Sequence, residues 1–175
     1  MKKTALSSLF CLVLLIGFGQ EAEAQNKVGQ FLKDAAKDVI SDPTTYVPAG
    51  LLWTSTKGDW NTSQPLFARG YVEANPLFTI SGRPYSQPIS FADGNRKIAM
   101  FTLWEGLGIS VLANTGIRLG ERLLISQHPE KKKLIHSAGW AARIGFAAFR
   151  GYVLSHQHFN QWQDNKRLAR ELGLK

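Results

Sequence analysis

Apolar residues fall along this chain in runs of different period, and each period predicts an element. The first run, residues 9–19, follows Lys2 and Lys3 and precedes Ala22-Glu23-Ala24. A charged start, an apolar middle and a small-x-small site in that order read as an export signal over residues 1–24, cut before Gln25. From residue 28 to 40 the apolar positions are Val28, Phe31, Leu32, Ala35, Ala36, Val39 and Ile40, one stripe at helical spacing, and Ser41-Asp42-Pro43 stops it. Such an amphipathic helix docks either on the protein's own core or on a lipid surface. A less regular helix is predicted over residues 48–68, interrupted near Gly58 and ending at Gly70. Pro76, Pro84 and Pro88 make residues 75–93 an ordered loop or extended connector.

Two long apolar segments dominate the remainder, residues 98–117 with Asp93 as a helix start and residues 134–154 after Pro129. The second continues as a polar helix toward Leu172. Each is about 20 residues, the length that crosses a bilayer. The first sets eight Leu, Ile, Phe or Val residues against Glu105; the second sets seven against Arg143 and Arg150. A central charge costs roughly 2.5–3.5 kcal/mol, so neither segment inserts convincingly alone. As an antiparallel hairpin mirrored about residues 125–128, Glu105 comes level with residues 146–150. Arg143 or Arg150 then lies within about one turn of it, and paired charges are tolerable where single ones are not. Arg118, Arg122, Lys131, Lys132 and Lys133 crowd the short connection, which the positive-inside bias places in the cytoplasm with both termini outside. Small residues four apart, Gly116 with Gly120, Ala138 with Ala142, Ala141 with Gly145 and Ala147 with Gly151, suit close helix contact. The alternative is a soluble bundle in which His136, Arg143, Arg150 and Gln157, seven apart, form a solvent stripe.

Composition narrows the partners. Without residues 1–24 the chain has about 150 residues, the size of one helical domain, residues 25–175. The single cysteine, Cys11, lies in the export signal, so the processed chain offers no disulfide and no thiolate chemistry. Phe10 stands where a lipoprotein acylation site wants a small residue. The net charge of +8 survives processing, because Lys2 and Lys3 cancel Glu21 and Glu23. Outside the cytoplasm that charge meets lipid head groups or envelope polymers, or simply keeps the protein soluble, and no aromatic-basic interleaving suggests nucleic acid. Trp53, Trp60, Trp104, Trp140 and Trp162 are core residues or membrane-interface anchors.

The candidate chemistry is one polar constellation. Asp59, Thr62, Glu73 and Asn75 lie close in sequence, and Asn75-Pro76 biases Asn75 away from the helical region. In one reading Glu73 and Asn75 cap a following helix. In the other, Asp59, Glu73, Glu105 and His156 or His158 gather between helices to hold a divalent metal or pass a proton. His156 and His158 point roughly 200° apart around a helix, so both cannot ligate one metal without a helix break. No zinc-protease, phosphate-loop or serine-elbow motif is present, and no cofactor is implied.

The residues Asp59, Thr62, Gly70, Glu73, Asn75 and Pro76 resemble a pattern carried by small, uncharacterised bacterial membrane-associated proteins. Those proteins add a basic helix start, two apolar helices and a His-Asn pair near the end of the last. Arg96 or Lys97 fits the start, and His158 with Asn160 approximates the ending with Phe159 between them. The resemblance implies a helical fold and supplies no activity.

The expectation is therefore an all-α protein with a two-helix transmembrane hairpin, exported and associated with the cytoplasmic membrane. Its role is that of a non-enzymatic structural or accessory component of the cell envelope, in contact with membrane lipid or a membrane-protein partner. One alternative is a soluble periplasmic helical protein that binds an apolar or anionic small ligand. Another is a metal-dependent enzyme using Asp59, Glu73 and a histidine.

Overall fold

The computed structural model describes residues 22–174, so the export-signal reading lies outside the described residues except for Ala22-Glu23-Ala24. The chain divides into two units, Met1–Asp38 and Val39–Lys175. Among the described residues the fold is all-α: α1 is Ala22–Ser41, α2 Val47–Phe67, α3 Phe91–Gln127 and α4 Lys132–Glu171. Helix α1 starts at Ala22 and not at Val28, and it ends where Asp42-Pro43 was expected to stop it. Asp42 caps the turn Pro43–Thr45 that follows, its Oδ1 accepting the Thr44 amide at 3.0 Å.

Three boundaries differ from the sequence expectation. Helix α2 runs unbroken through Gly58, because that glycine is the seat of the Trp162 ring of α4 and not a break. Helix α3 begins at Phe91: Ser90 is the cap, its Oγ accepting the Asp93 amide at 3.1 Å and donating to the Asp93 carboxylate at 2.7 Å. Asp93 thus supports the cap through the Ser90 hydroxyl. The helix then continues to Gln127, with a π-helical segment Thr102–Gly108 that contains Glu105. Such segments are rare and arise where packing displaces the ordinary ladder. Pro129 and Lys131 form a single tight turn before α4, which makes α3 and α4 antiparallel neighbours.

Helix α2 lies along both of them. Its Pro48 and Leu51 meet Gly151, its Gly58 meets Trp162, and its Ala49 meets Gly106, so it runs with α4 and against α3. At one end of this bundle Trp60, Phe78 and Ile98 form a buried apolar cluster, with Phe67 and Ile89 against it. That cluster pins the loop of residues 71–90, which is held by bridges Glu73 to Ser86 and Thr79 to Pro88 and by the turn Pro76–Phe78.

Of the four small-residue pairs, one lies in a helix contact. Ala147 and Gly151 are buried, and the Gly151 side of the contact belongs to α2 and not to α3. Gly116, Gly120 and Gly145 face open space, and Ala138, Ala141 and Ala142 are exposed. The glycines that permit close approach are others. A Cβ on Gly106 would lie 2.7 Å from the Ala49 Cα, and one on Gly139 would overlap the Glu121 carboxylate.

Gly106→Ala is expected to lower stability by about 1–3 kcal/mol, because the neighbour that must yield is backbone. Gly116→Ala, with nothing in reach, should hold stability or raise it by up to about 1 kcal/mol through helix propensity. Thermal unfolding of the two variants checks this, and equal melting temperatures would contradict the close-packing account.

Candidate functional site

The polar constellation forms around Asp59, on the face of α2 turned toward α4. Its Oδ2 accepts from His158 Nδ1 at 2.9 Å, and its Oδ1 accepts from Asn165 Nδ2 at 3.0 Å. The same amide nitrogen donates to Ser63 Oγ at 2.8 Å, and Ser63 in turn donates to the Asp59 carbonyl at 2.9 Å. The Asp59 carboxylate therefore holds His158 and Asn165, and Ser63 bridges Asn165 to the Asp59 carbonyl. His158 and Asn165 lie seven apart on α4 and Asp59 and Ser63 four apart on α2, which puts each pair on one helix face.

Glu73 and Asn75 reach the cluster from the loop. The Glu73 carboxylate accepts the Asn75 amide at 2.7 Å, and the Asn75 side chain accepts the Leu77 amide at 3.0 Å as cap of the turn Pro76–Phe78. The capping reading holds for Asn75, on a short turn and not on a long helix. Burial pushes the Glu73 carboxyl above its ordinary range; the Asn75 amide opposes that rise, and the negative charge of Asp59 adds to it. Asp59, Glu73, Asn75, Ser63 and His158 border a pocket of about 20 Å³, which has room for about one water.

The other expected members go elsewhere. Thr62 donates to the carbonyls of Gly58 and Asp59 on its own helix. His156 stacks on Tyr152 with ring centroids 4.6 Å apart and approaches the Tyr152 carbonyl, so the opposed directions of His156 and His158 leave only His158 in the site. Glu105 pairs with Arg150 at 2.7 Å. Among the described residues no three His, Cys, Asp or Glu side chains form a group that could hold a metal ion. The geometry instead provides a histidine oriented by a carboxylate, an arrangement that can accept and release a proton.

His158 also borders a second, larger space. A cleft of about 460 Å³ lies beside the small pocket and shares Thr56, Asn75, Phe78 and His158 with it. Its other walls are mainly Leu77, Met100, Phe101 and Trp104, with Arg96, Lys97 and Glu105.

Arg143 does not pair with Glu105. It lies in a separate buried network, with Nε 2.8 Å from Asp42 Oδ2 and Nη1 bonded to Glu121. Arg118 adds contacts of 3.0 Å to Asp42 and 3.7 Å to Glu121, and His136 approaches Glu121 at 3.3 Å. The Arg143, Asp42 and Glu121 side chains are 3%, 5% and 5% exposed, so this is no solvent stripe. Asn114 extends the network, donating to Thr45 Oγ1 at 2.8 Å and Thr44 Oγ1 at 3.1 Å. Sequence reasoning missed Asp42, Glu121, Asn114, Ser63 and Asn165. The available signal was the four-residue spacing of Gly139, Arg143, Ala147, Gly151 and Ser155, a small and polar ridge along an apolar helix.

The chain matches no protein-family model, no curated protein and no solved structure.

Two outcomes are expected. Because the folded Glu73 carboxyl titrates above its unfolded value, the folded state is favoured while the group is protonated and loses that advantage as pH rises through the folded value. Glu73→Gln should therefore raise the melting temperature at pH 7, with the gain vanishing below about pH 4; a gain independent of pH would refute the assignment. Arg143→Leu should cost about 3–5 kcal/mol, since it leaves two buried carboxylates poorly neutralised. Arg150→Leu should cost less, because it leaves one carboxylate unmatched and not two. Equal losses in thermal denaturation would remove the special place given to Arg143.

Proposed function

We propose that this protein is an exported helical protein anchored in the cytoplasmic membrane through α3 and α4, serving as a non-enzymatic accessory component of the cell envelope. The observation that carries this reading is an inversion of burial. Beyond Phe101 the inward positions of α3 are Gly106, Ser110, Asn114 and Glu121, and those of α4 as far as Ser155 are Gly139, Arg143, Ala147, Gly151 and Ser155. The outward positions include Leu103, Trp104, Leu112, Leu123 and Leu124, then Leu134, Trp140, Phe149, Tyr152 and Val153, all exposed. A water-soluble bundle places these sets the other way round.

Dimensions agree with a bilayer. From Leu103 to Leu124 is about 32 Å of helix and from Leu134 to Val153 about 29 Å, against a hydrocarbon core of about 30 Å. Helix α3 is long and apolar enough to span, and only 22% of its most apolar window is buried within the fold. Helix α4 carries Arg143 and Arg150 across the same depth, and each is answered by a carboxylate on the fold. Two interior hydroxyls are satisfied locally: Ser110 donates to the Gly106 carbonyl and Ser155 to the Gly151 carbonyl, each at 2.6 Å. Arg122 and Lys131 to Lys133 collect at the α3–α4 turn, which supports a cytoplasmic turn with the termini outside.

A second reading has one observation in its favour. The cleft of about 460 Å³ is of ligand size and suits a soluble periplasmic protein that binds an apolar or anionic small molecule.

Carbonate extraction of membranes holding the C-terminally tagged full chain separates the two. Retention in the pellet is expected for the anchored protein. Release into the supernatant would discard the anchor and leave the ligand-binding reading.

A further inference from the structure

We infer that the cleft between α3, α4 and the loop of residues 71–90 is a binding site for one anionic phospholipid of the outer-facing leaflet; this rests on the membrane reading above. The cleft has two ends of different chemistry. Met100, Phe101 and Trp104 form its apolar end, and Trp104, 64% exposed, also stands on the outward apolar band. Arg96 and Lys97 lie about 10 Å further along the same helix, toward its start, where the band gives way to polar surface. An acyl chain can therefore enter sideways from the band while its phosphate remains level with the two cations.

Charge selects the occupant. Glu105 is answered by Arg150 at 2.7 Å, so it adds no net negative charge to the cleft, and His158 is bonded to Asp59. Arg96 is held only by an exposed contact of 3.7 Å to Asp93, and Lys97 donates to the Leu77 carbonyl at 2.6 Å with no carboxylate partner among the described residues. The cations of the cleft thus outweigh its acids. A buried hydroxyl points the same way: Thr56 Oγ1, in a residue 2% exposed, borders the cleft and has no hydrogen-bond partner among the described residues. A phosphate or glycerol oxygen supplies the acceptor or donor that a purely apolar guest lacks. Each cation near an anionic membrane surface is worth a factor of about five, so two favour an anionic headgroup by roughly 25-fold.

The test is tryptophan quenching in phosphatidylcholine vesicles that carry the full-length protein and a minor fraction of acyl-brominated phosphatidylglycerol or acyl-brominated phosphatidylcholine. Trp104→Phe and Trp140→Phe assign the quenched signal to each ring. Brominated phosphatidylglycerol should quench Trp104 several-fold more than brominated phosphatidylcholine does, while Trp140, near the basic turn, reports any general preference of the protein for anionic lipid. Arg96→Gln with Lys97→Gln should abolish the preference at Trp104 and leave Trp140 unchanged; if the double variant fails to insert, Lys97→Gln alone should reduce it. Equal quenching of Trp104 by both lipids, or a preference at Trp104 that survives the substitutions, would overturn the lipid site while leaving the anchor intact. No quenching of either ring by either lipid would overturn the membrane reading itself.

Discussion

Arg143 sets the arrangement of this bundle. A guanidinium 3% exposed among helices has lost its water, and that loss is tolerable only where carboxylates replace it at contact distance. Asp42 and Glu121 do so from two sides, one from the turn after α1 and one from the far half of α3. Arg118 then balances the second negative charge, so two arginines and two carboxylates close on each other. The register of α4 on α3 follows from this, and so does the depth at which the segment Asp42 to Thr45 is held. Gly139 has no side chain because the Glu121 carboxylate occupies that volume.

From that network a seam of small and hydroxylated residues runs along the bundle to the cluster around Asp59. Gly106 against Ala49 and Gly151 against Leu51 bring α2 close to both long helices. Close backbone approach replaces the bulky interdigitated core of a soluble bundle, and large apolar side chains are left facing outward. Among the described residues an ordinary core appears at the end beyond the apolar band, where Trp60, Phe78 and Ile98 pack together and Trp60 Nε1 donates to the Phe91 carbonyl at 3.3 Å. That core fixes the loop of residues 71–90, and the loop closes both the small pocket at Glu73 and the apolar cleft beside it. His158 stands between the two spaces, oriented by Asp59.

Helix content was legible because it rests on local terms: a periodic stripe before Ser41, a proline at the start of the last helix, turn residues between Asn75 and Ser90. Where local reading failed, a distant side chain was responsible. Gly58 reads as a break until the Trp162 ring is seen to need its missing Cβ. The pairs Gly116 with Gly120 and Ala138 with Ala142 have the spacing of a contact but lie on faces that meet nothing. Within the site, Asn75 capping the next turn and the divergence of His156 from His158 depend on neighbours in sequence, and these were readable. The bond from Asp59 to Asn165 spans 106 residues, and the one from Asp42 to Arg118 spans 76. No periodicity carries that information.

By itself, then, the sequence determined an all-helical chain, two long apolar segments joined by a basic turn, and a carboxylate and imidazole close enough in kind to form a site. These follow from hydrogen-bond period, apolar length and turn chemistry, which each stretch possesses alone. The tertiary structure decided which charge answers which, assigning Arg150 to Glu105 and Arg143 to Asp42 and Glu121. It also decided which face of each helix turns inward. Those choices depend on the rotation and sliding of one helix against another. A rotation of about 100° per residue means that a shift of a single position exchanges a buried partner for an exposed one, and only the packed fold selects the position at which every buried charge is met.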